Sequence, residues 1–153
     1  MAPRIREATE DDLPALVALL DQLSLDGSQE DSRPLLAGAY REAFRRIQTD
    51  ANQQLLVLEI EGRIAGSLVL IIVPNLTHQG KPYVSAENVV VDEKARGQGH
   101  GERLMRYAID EAKAAGCYKI QLTSHRSRAD AHRFYERLGF RSTHEAYRIT
   151  LED

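Results

Sequence analysis

Residues 96–105, RGQGHGERLM, place Gly97, Gly99 and Gly101 in alternation with polar residues, directly ahead of an apolar run at helical spacing. Closely spaced glycines allow backbone to approach something that a side chain would block. The first turn of a helix leaves backbone N–H groups unpaired and carries partial positive charge. The chemistry open to this stretch is therefore the holding of a phosphate. Its candidate ligands are the backbone N–H groups of Arg96, Gly97, Gln98, Gly99, His100 and Gly101, with Arg96 adding a charge. Two common phosphate loops do not fit. A P-loop requires Lys and then Ser or Thr after its last glycine, and Gly101 is followed by Glu102 and Arg103. The dinucleotide fingerprint, counted from Gly97 and Gly99, requires glycine at position 102 and meets Glu102.

Two further side chains have acid–base chemistry. Glu87 is the one charged residue of YVSAENVVV, residues 83–91, and strand alternation would put it on the face of Val89 and Val91. Burial makes a carboxylate a better proton acceptor, so Glu87 is a candidate base; a salt-bridged or edge-strand glutamate is the alternative. Tyr135 falls on the apolar side of a helical stretch, where a packed aromatic is the ordinary reading and a phenolic proton donor the functional one. Cys117 follows a helix-ending glycine and reads as structural. His78 and His144 are isolated in the sequence, so no metal is expected. Arg126, Arg128, His132 and Arg133 form a basic cluster that suits either a solvated helix start or a phosphate.

The elements that must position these groups follow from periodicity. RIREAT reads as a strand. Thr9 and Asp12 make a capping-box-like pair ahead of Leu13, Leu16, Val17, Leu20 and Leu23, predicting a helix over residues 10–23. An acidic loop follows, then a helix over 35–48 with Leu36, Tyr40, Phe44 and Ile47 on one side. LLVLEIEGRIAGSLVLIIV predicts a hairpin turning at Glu61, Gly62 and Arg63, its second strand covered on both faces. A fourth strand at 83–91 leads into the glycine stretch. The helix after it carries Leu104, Met105, Ala108, Ile109 and Ala112 on one face and stops at Gly116. YKIQLT is a fifth strand, ADAHRFYERLGF a helix ended by Gly139, and the alternating HEAYRITL a final strand. The order β-α-α-β-β-β-α-β-α-β describes one mixed α/β domain over residues 1–153, with strands four and five parallel.

With 153 residues, 42% hydrophobic and 28% charged, the chain is long enough for one real core. A net charge of −3 excludes global attraction to nucleic acid or an anionic membrane. One cysteine excludes an internal disulfide framework and a multi-cysteine zinc site. The opening MAPRIREATEDD lacks the apolar core of a signal peptide, and the longest apolar run, Leu68 to Val73, is too short to cross a bilayer. These features predict a soluble cytoplasmic protein.

Two spacings together point further. Arg96, Gly99 and Gly101 match Arg/Gln-x-x-Gly-x-Gly/Ala directly after a strand. Ala131, Tyr135, Gly139 and Phe140 match Ala-x-x-x-Tyr-x-x-x-Gly-Phe about thirty residues later. In both, the chain resembles the GNAT family of N-acetyltransferases. The likeness covers the second half well and the first half in element order alone. It implies a mixed, mostly antiparallel sheet flanked by helices, with the parallel pair of strands four and five splayed. It implies acetyl-CoA as co-substrate, its pyrophosphate on residues 96–101 and its pantetheine arm and thioester on the backbone of Val89, Val90 and Val91. Tyr135 would protonate the departing thiolate, and Glu87 would relieve the amine of its proton before direct attack in a ternary complex. Arg128 stands where relatives often have an asparagine that contacts the coenzyme arm, which puts that contact in doubt. AGCYKIQLTS is similar to glucosamine-phosphate acetyltransferases and DAHRFY to aminoalkylphosphonate acetyltransferases, hints of a small phosphorylated amine. The acidic loop at 26–31 instead suits a cationic amine or a protein tail, so the acceptor stays open. A homodimer is expected. The rival of another class is a non-catalytic CoA-binding regulator. An acetylating toxin acting on aminoacyl-tRNA would want a more basic surface.

Overall fold

The computed structural model describes residues 2–23 and 38–152. The chain divides into two compact units, Met1–Gln121 and Leu122–Asp153. The first is built on a five-stranded sheet in the order β1-β2-β3-β4-β5, with β1 at Arg4–Glu7, β2 at Gln53–Ile60, β3 at Arg63–Val73, β4 at Tyr83–Val91 and β5 at Ile120–Gln121. Neighbours pair antiparallel except β4 and β5, which are parallel. The architecture is the predicted mixed α/β sheet. The nearly all-apolar β3 takes the central place, with residues 65–70 buried throughout. The β2–β3 hairpin turns where predicted, with Glu61 at φ 51° and Gly62 at φ 77°. Two successive positive φ values make a turn whose twist matches that of the paired strands.

The predicted first helix is three consecutive pieces: a 3-10 turn at Glu10–Asp12, α1 at Leu13–Leu20 and a second 3-10 turn at Asp21–Leu23. Thr9 and Asp12 form the expected capping box, the Thr9 backbone N–H donating to the Asp12 carboxylate at 2.7 Å. The acidic loop and the first turn predicted for the second helix lie outside the described residues, where α2 occupies Gly38–Thr49. A short kinked turn, α3 at Thr77–Gly80, joins β3 to β4, and α4 runs from His100 to Ala114.

Helices cover both faces of the sheet. Leu13 and Leu16 of α1 and Phe44 of α2 form one cluster with Val57 of β2. On the opposite face, with Leu58 and Gly66, lies α4, which buries Leu104, Met105, Ala108 and Ala112. Gly66 is where helix and sheet come closest: a Cβ there would stand 3.0 Å from Leu104 Cδ1 and 3.1 Å from the Val90 carbonyl.

In the second unit, α5 spans Ala129–Arg137. The predicted final strand does not form: residues 141–152 belong to no helix or strand, and Tyr147, Ile149 and Leu151 are 89%, 82% and 92% exposed. Alternation shows what a strand would bury. A strand also needs a partner edge, and the described residues of the second unit hold no other strand. The fifth strand is likewise shorter than YKIQLT, reduced to its two residues paired with β4.

Candidate active site

The site in the first unit is built on the second half of β4 and the turn that follows it. Parallel pairing with β5 covers Val84↔Ile120 and Ser85↔Gln121, after which β4 continues six residues to Val91. Its antiparallel register with β3 slips over the same stretch: Val69 lies opposite Glu87, but Ser67 lies opposite Val90. Two residues of β4, Asn88 and Val89, therefore face one of β3. Asn88 takes φ 51°, a left-handed conformation to which asparagine is better suited than most residues. This is a β-bulge, a device that re-aims side chains and releases backbone from its ladder.

The bulge corrects the expected placement of Glu87. Simple alternation put it with Val89 and Val91. The extra residue instead sets Glu87 on the face of Ser67, Val69 and Val90, and moves Val91 to the face of Gly66 and α4. Glu87 is half-buried, and its Oε1 accepts a hydrogen bond from the Ser85 hydroxyl at 2.8 Å. A carboxylate held by a neutral hydroxyl keeps lone pairs for another donor. Val89 and Val91 are half-buried and Val90 is buried, so the side chains of this stretch pack while its backbone is released by the bulge.

From Val91 the chain turns through a 3-10 segment, Glu93–Ala95, capped by the Asp92 carboxylate, which accepts from the Lys94 N–H at 3.1 Å. That bond holds the Asp92 carboxyl below the usual range. Gln22 steadies the junction from 70 residues away: its amide donates to Asp92 at 3.3 Å and accepts from the Glu93 N–H at 3.0 Å. Nothing in the sequence pattern points to Gln22. Arg96 ties the loop to the strand end, its Nε donating to the Val91 carbonyl at 3.1 Å.

The three glycines have different reasons to be glycine. Gly97 and Gly99 take φ 79° and 81°, and Gly99 is the N-cap of α4. Gly101 lies in the first turn of α4 and is not among the positive-φ residues. In that conformation alanine would stabilise the helix by about 1 kcal/mol. Room for a ligand is a reason for glycine at this position that the helix itself does not supply. Gln98 and Gly99 are exposed, whereas His100 is buried.

In the second unit, Tyr135 is half-buried on α5. Its spacing to Gly139 and Phe140 has a local cause. Gly139, at φ 103°, sends its N–H to the Glu136 carbonyl at 3.0 Å, and the Phe140 N–H bonds the Tyr135 carbonyl at 3.0 Å. This is a Schellman stop, in which the residue after the glycine packs on the one whose carbonyl it caps. The Phe140 and Tyr135 rings meet edge-on, with centroids 5.8 Å apart. The Tyr-x-x-x-Gly-Phe spacing thus ends the helix and fixes the tyrosine ring. Burial raises the phenol's pKa, outweighing the opposing charge of Arg128, so the hydroxyl is a proton donor at neutral pH. Of the basic cluster beside it, Arg133 is ion-paired with Asp130, and His132 Nε2 lies 2.9 Å from the His125 carbonyl.

Among the described residues, no group of three His, Cys, Asp or Glu side chains is placed to hold a metal ion, and no helix is long and apolar enough to cross a membrane. Cys117 is half-buried, and burial pushes its thiol pKa up, as befits a structural thiol. An open apolar hollow lined by Ile72, Pro74, Leu76 and Pro82 lies at the opposite end of β4 from the glycine loop.

Comparison with known proteins agrees with the fold. Residues 17–140 match the model of the Acetyltransferase (GNAT) family, a span that runs across both units. A glucosamine 6-phosphate N-acetyltransferase of Trypanosoma brucei brucei is 39% identical over 59% of this chain and 59% of its own length. An aminoalkylphosphonate N-acetyltransferase of Salmonella typhimurium is 29% identical over 92% of this chain and 86% of its own. A crystal structure described as a transcriptional regulator from Bacillus halodurans C-125 superposes with a TM-score of 0.94 at 40% identity, covering 98% of this chain and all of that one. On the family match and the shared fold, the chain belongs to the Acetyltransferase (GNAT) family.

Proposed function

We propose that the protein transfers an acetyl group from acetyl-CoA to the primary amine of a small acceptor carrying a phosphate or phosphonate. The observation that carries the reading is the continuous run from the β4 bulge to the head of α4. It offers released backbone at Asn88 and Val89, a left-handed Gly97–Gly99 turn and a helix N-terminus in succession. The pyrophosphate sits on residues 96–101, and the pantetheine arm runs along Val89, Val90 and Val91. Glu87 takes the amine's proton directly or through water, the free amine attacks the thioester carbonyl, and backbone N–H groups stabilise the oxyanion. As the intermediate collapses, Tyr135 gives its proton to the sulfur, CoA leaves as the thiol, and the second proton of the amine nitrogen returns to the phenolate as the amide forms.

The acceptor class is supported by the names of two relatives, both of which describe an amine bearing a phosphorus oxyanion. The basic residues Arg126, Arg128, His132 and Arg133 around the start of α5 suit such a group. The same reading takes residues 1–153 as one N-acetyltransferase domain in the cytoplasm. The neighbour described as a transcriptional regulator favours a second reading, a CoA-binding regulatory protein. A protein that only binds CoA has no use for a carboxylate and a phenol at positions 87 and 135.

The coenzyme site is tested at Gly101, where substitution does not meet a positive φ. In Gly101→Val, isothermal titration should show acetyl-CoA affinity lowered at least about tenfold, some 1.4 kcal/mol, with the melting temperature held. Undiminished affinity in the folded variant would place the pyrophosphate elsewhere.

The expected homodimer is supported by the exposed apolar series Tyr147, Ile149 and Leu151, which a second copy would cover. Light scattering coupled to gel filtration should report a dimer for the wild type and a monomer for Ile149→Asp. A monomeric wild type would remove the dimer from the account.

A further inference from the structure

His100 is the buried member of an exposed turn: its side chain is 5% exposed, while residues 96–99 are all exposed. Its Nδ1 lies 3.1 Å from Arg103 Nη1. A guanidinium has donors and no acceptor, so Nδ1 is the acceptor and the neutral ring carries its proton on Nε2. Nε2 is buried with no hydrogen-bond partner among the described residues. A leucine would fill this position without leaving a buried N–H unmet. What histidine offers in its place is the acceptor at Nδ1. The same Arg103 Nη1 donates to the Gln98 carbonyl at 3.1 Å, and a Cβ on Gly99 would stand 3.6 Å from it. The guanidinium is thereby laid along the glycine turn, at the N-terminal end of α4.

We propose that His100 is a positioning residue for the phosphate site: its neutral imidazole, through Nδ1, holds the Arg103 guanidinium beside Gln98 and Gly99, where it meets the coenzyme's phosphates, and protonation of the ring releases it. The inference rests on the reading of residues 96–101 as the coenzyme's phosphate site. Protonation turns Nδ1 into a donor facing a donor and sets two cations side by side. Burial and the Arg103 charge both lower the imidazole pKa below the ordinary 6.5. The strands packed on α4 carry few titratable groups, Arg63 on β3 and Tyr83 and Glu87 on β4, and Glu102 of α4 is paired with Arg106. Arg103 is the charge that acts on the ring. The sign follows: the ring is neutral at neutral pH, the hold is intact there, and it is lost as pH falls through the lowered value.

The test is the acetyl-CoA dissociation constant, titrated from about pH 8 to about pH 5, for the wild type, His100→Asn, Arg103→Gln and His100→Leu. Asparagine puts a non-titrating acceptor near the Nδ1 position. With each protein's affinity taken relative to its own value at neutral pH, His100→Asn should lose the wild type's extra acid-side fall, expected to reach about tenfold. The coenzyme's own phosphates titrate equally in both and cancel in the comparison. Arg103→Gln, at an exposed position that folds normally, should bind about tenfold more weakly at neutral pH. Adding His100→Leu to it should weaken binding no further, since the two act as a unit. Coincident pH curves for wild type and His100→Asn, or additive losses in the double variant, would overturn the inference. Gly101→Val separates this failure from failure of the site itself. If that variant loses affinity while the pH curves coincide, the phosphate site stands and only the role of His100 falls.

Discussion

Tyr135→Phe should lower kcat by roughly a hundredfold while leaving acetyl-CoA affinity nearly unchanged. The substitution removes one oxygen and keeps the ring that packs edge-on against Phe140, so the Schellman stop and the end of α5 are preserved. What should be lost is the proton that, on the proposed mechanism, neutralises the departing thiolate. The raised pKa of the phenol, caused by its burial, keeps that proton in place at neutral pH. The experiment is a steady-state assay of CoA release, with a single-turnover measurement to confirm that chemistry limits the rate. Unaltered turnover under those conditions would return Tyr135 to a purely packing role.

Glu87→Gln should also cost roughly a hundredfold in kcat near neutral pH, but with a different signature. Glutamine keeps the size of the side chain and can still bond the Ser85 hydroxyl, yet it cannot take a proton. An amine at neutral pH is mostly protonated, so the variant should recover part of its rate at high pH, where free amine is abundant. Coenzyme affinity should hold, because the proposed phosphate site begins five residues beyond the strand's last residue, at Arg96. The pH–rate profile of both proteins, corrected for the amine's own ionisation, is the measurement. A raised KM with kcat unchanged would make Glu87 a substrate-positioning group. No change in either would move the base to another residue or to a water chain.

Much of the candidate site is legible in the sequence, because it rests on residues with few conformational substitutes. Gly97 and Gly99 adopt φ values that other residues resist, and such a pair ahead of an amphipathic run has few uses besides a tight turn into a helix N-terminus. The Tyr135–Gly139–Phe140 spacing was legible for the same reason, since it follows from how a helix ends. β3 declared its central place by lacking any polar face. The bulge at Asn88 was not legible. One extra residue leaves no mark on composition, and it reversed the face on which Val89 and Val91 were expected relative to Glu87. The sequence places His100 among the backbone N–H donors of the turn, and the burial of its side chain, which comes from the packing of α4, leaves no mark there. Gln22 acts across 70 residues, beyond the reach of any local pattern. HEAYRITL was misread because alternation carries information about faces and none about partners.

The claim at the centre of this account is acetyl transfer to a phosphorylated or phosphonylated amine. It is tested most directly by incubating the protein with acetyl-CoA and a panel of amines that includes glucosamine 6-phosphate, an aminoalkylphosphonate, their phosphorus-free counterparts and a lysine peptide. CoA release and product mass are followed together. The account predicts stoichiometric CoA and N-acetylated product with a phosphorus-bearing amine, at a rate well above that of its phosphorus-free counterpart. Tight binding of acetyl-CoA with no acetylated product from any amine in the panel would contradict it, and would instead support the CoA-binding regulatory protein.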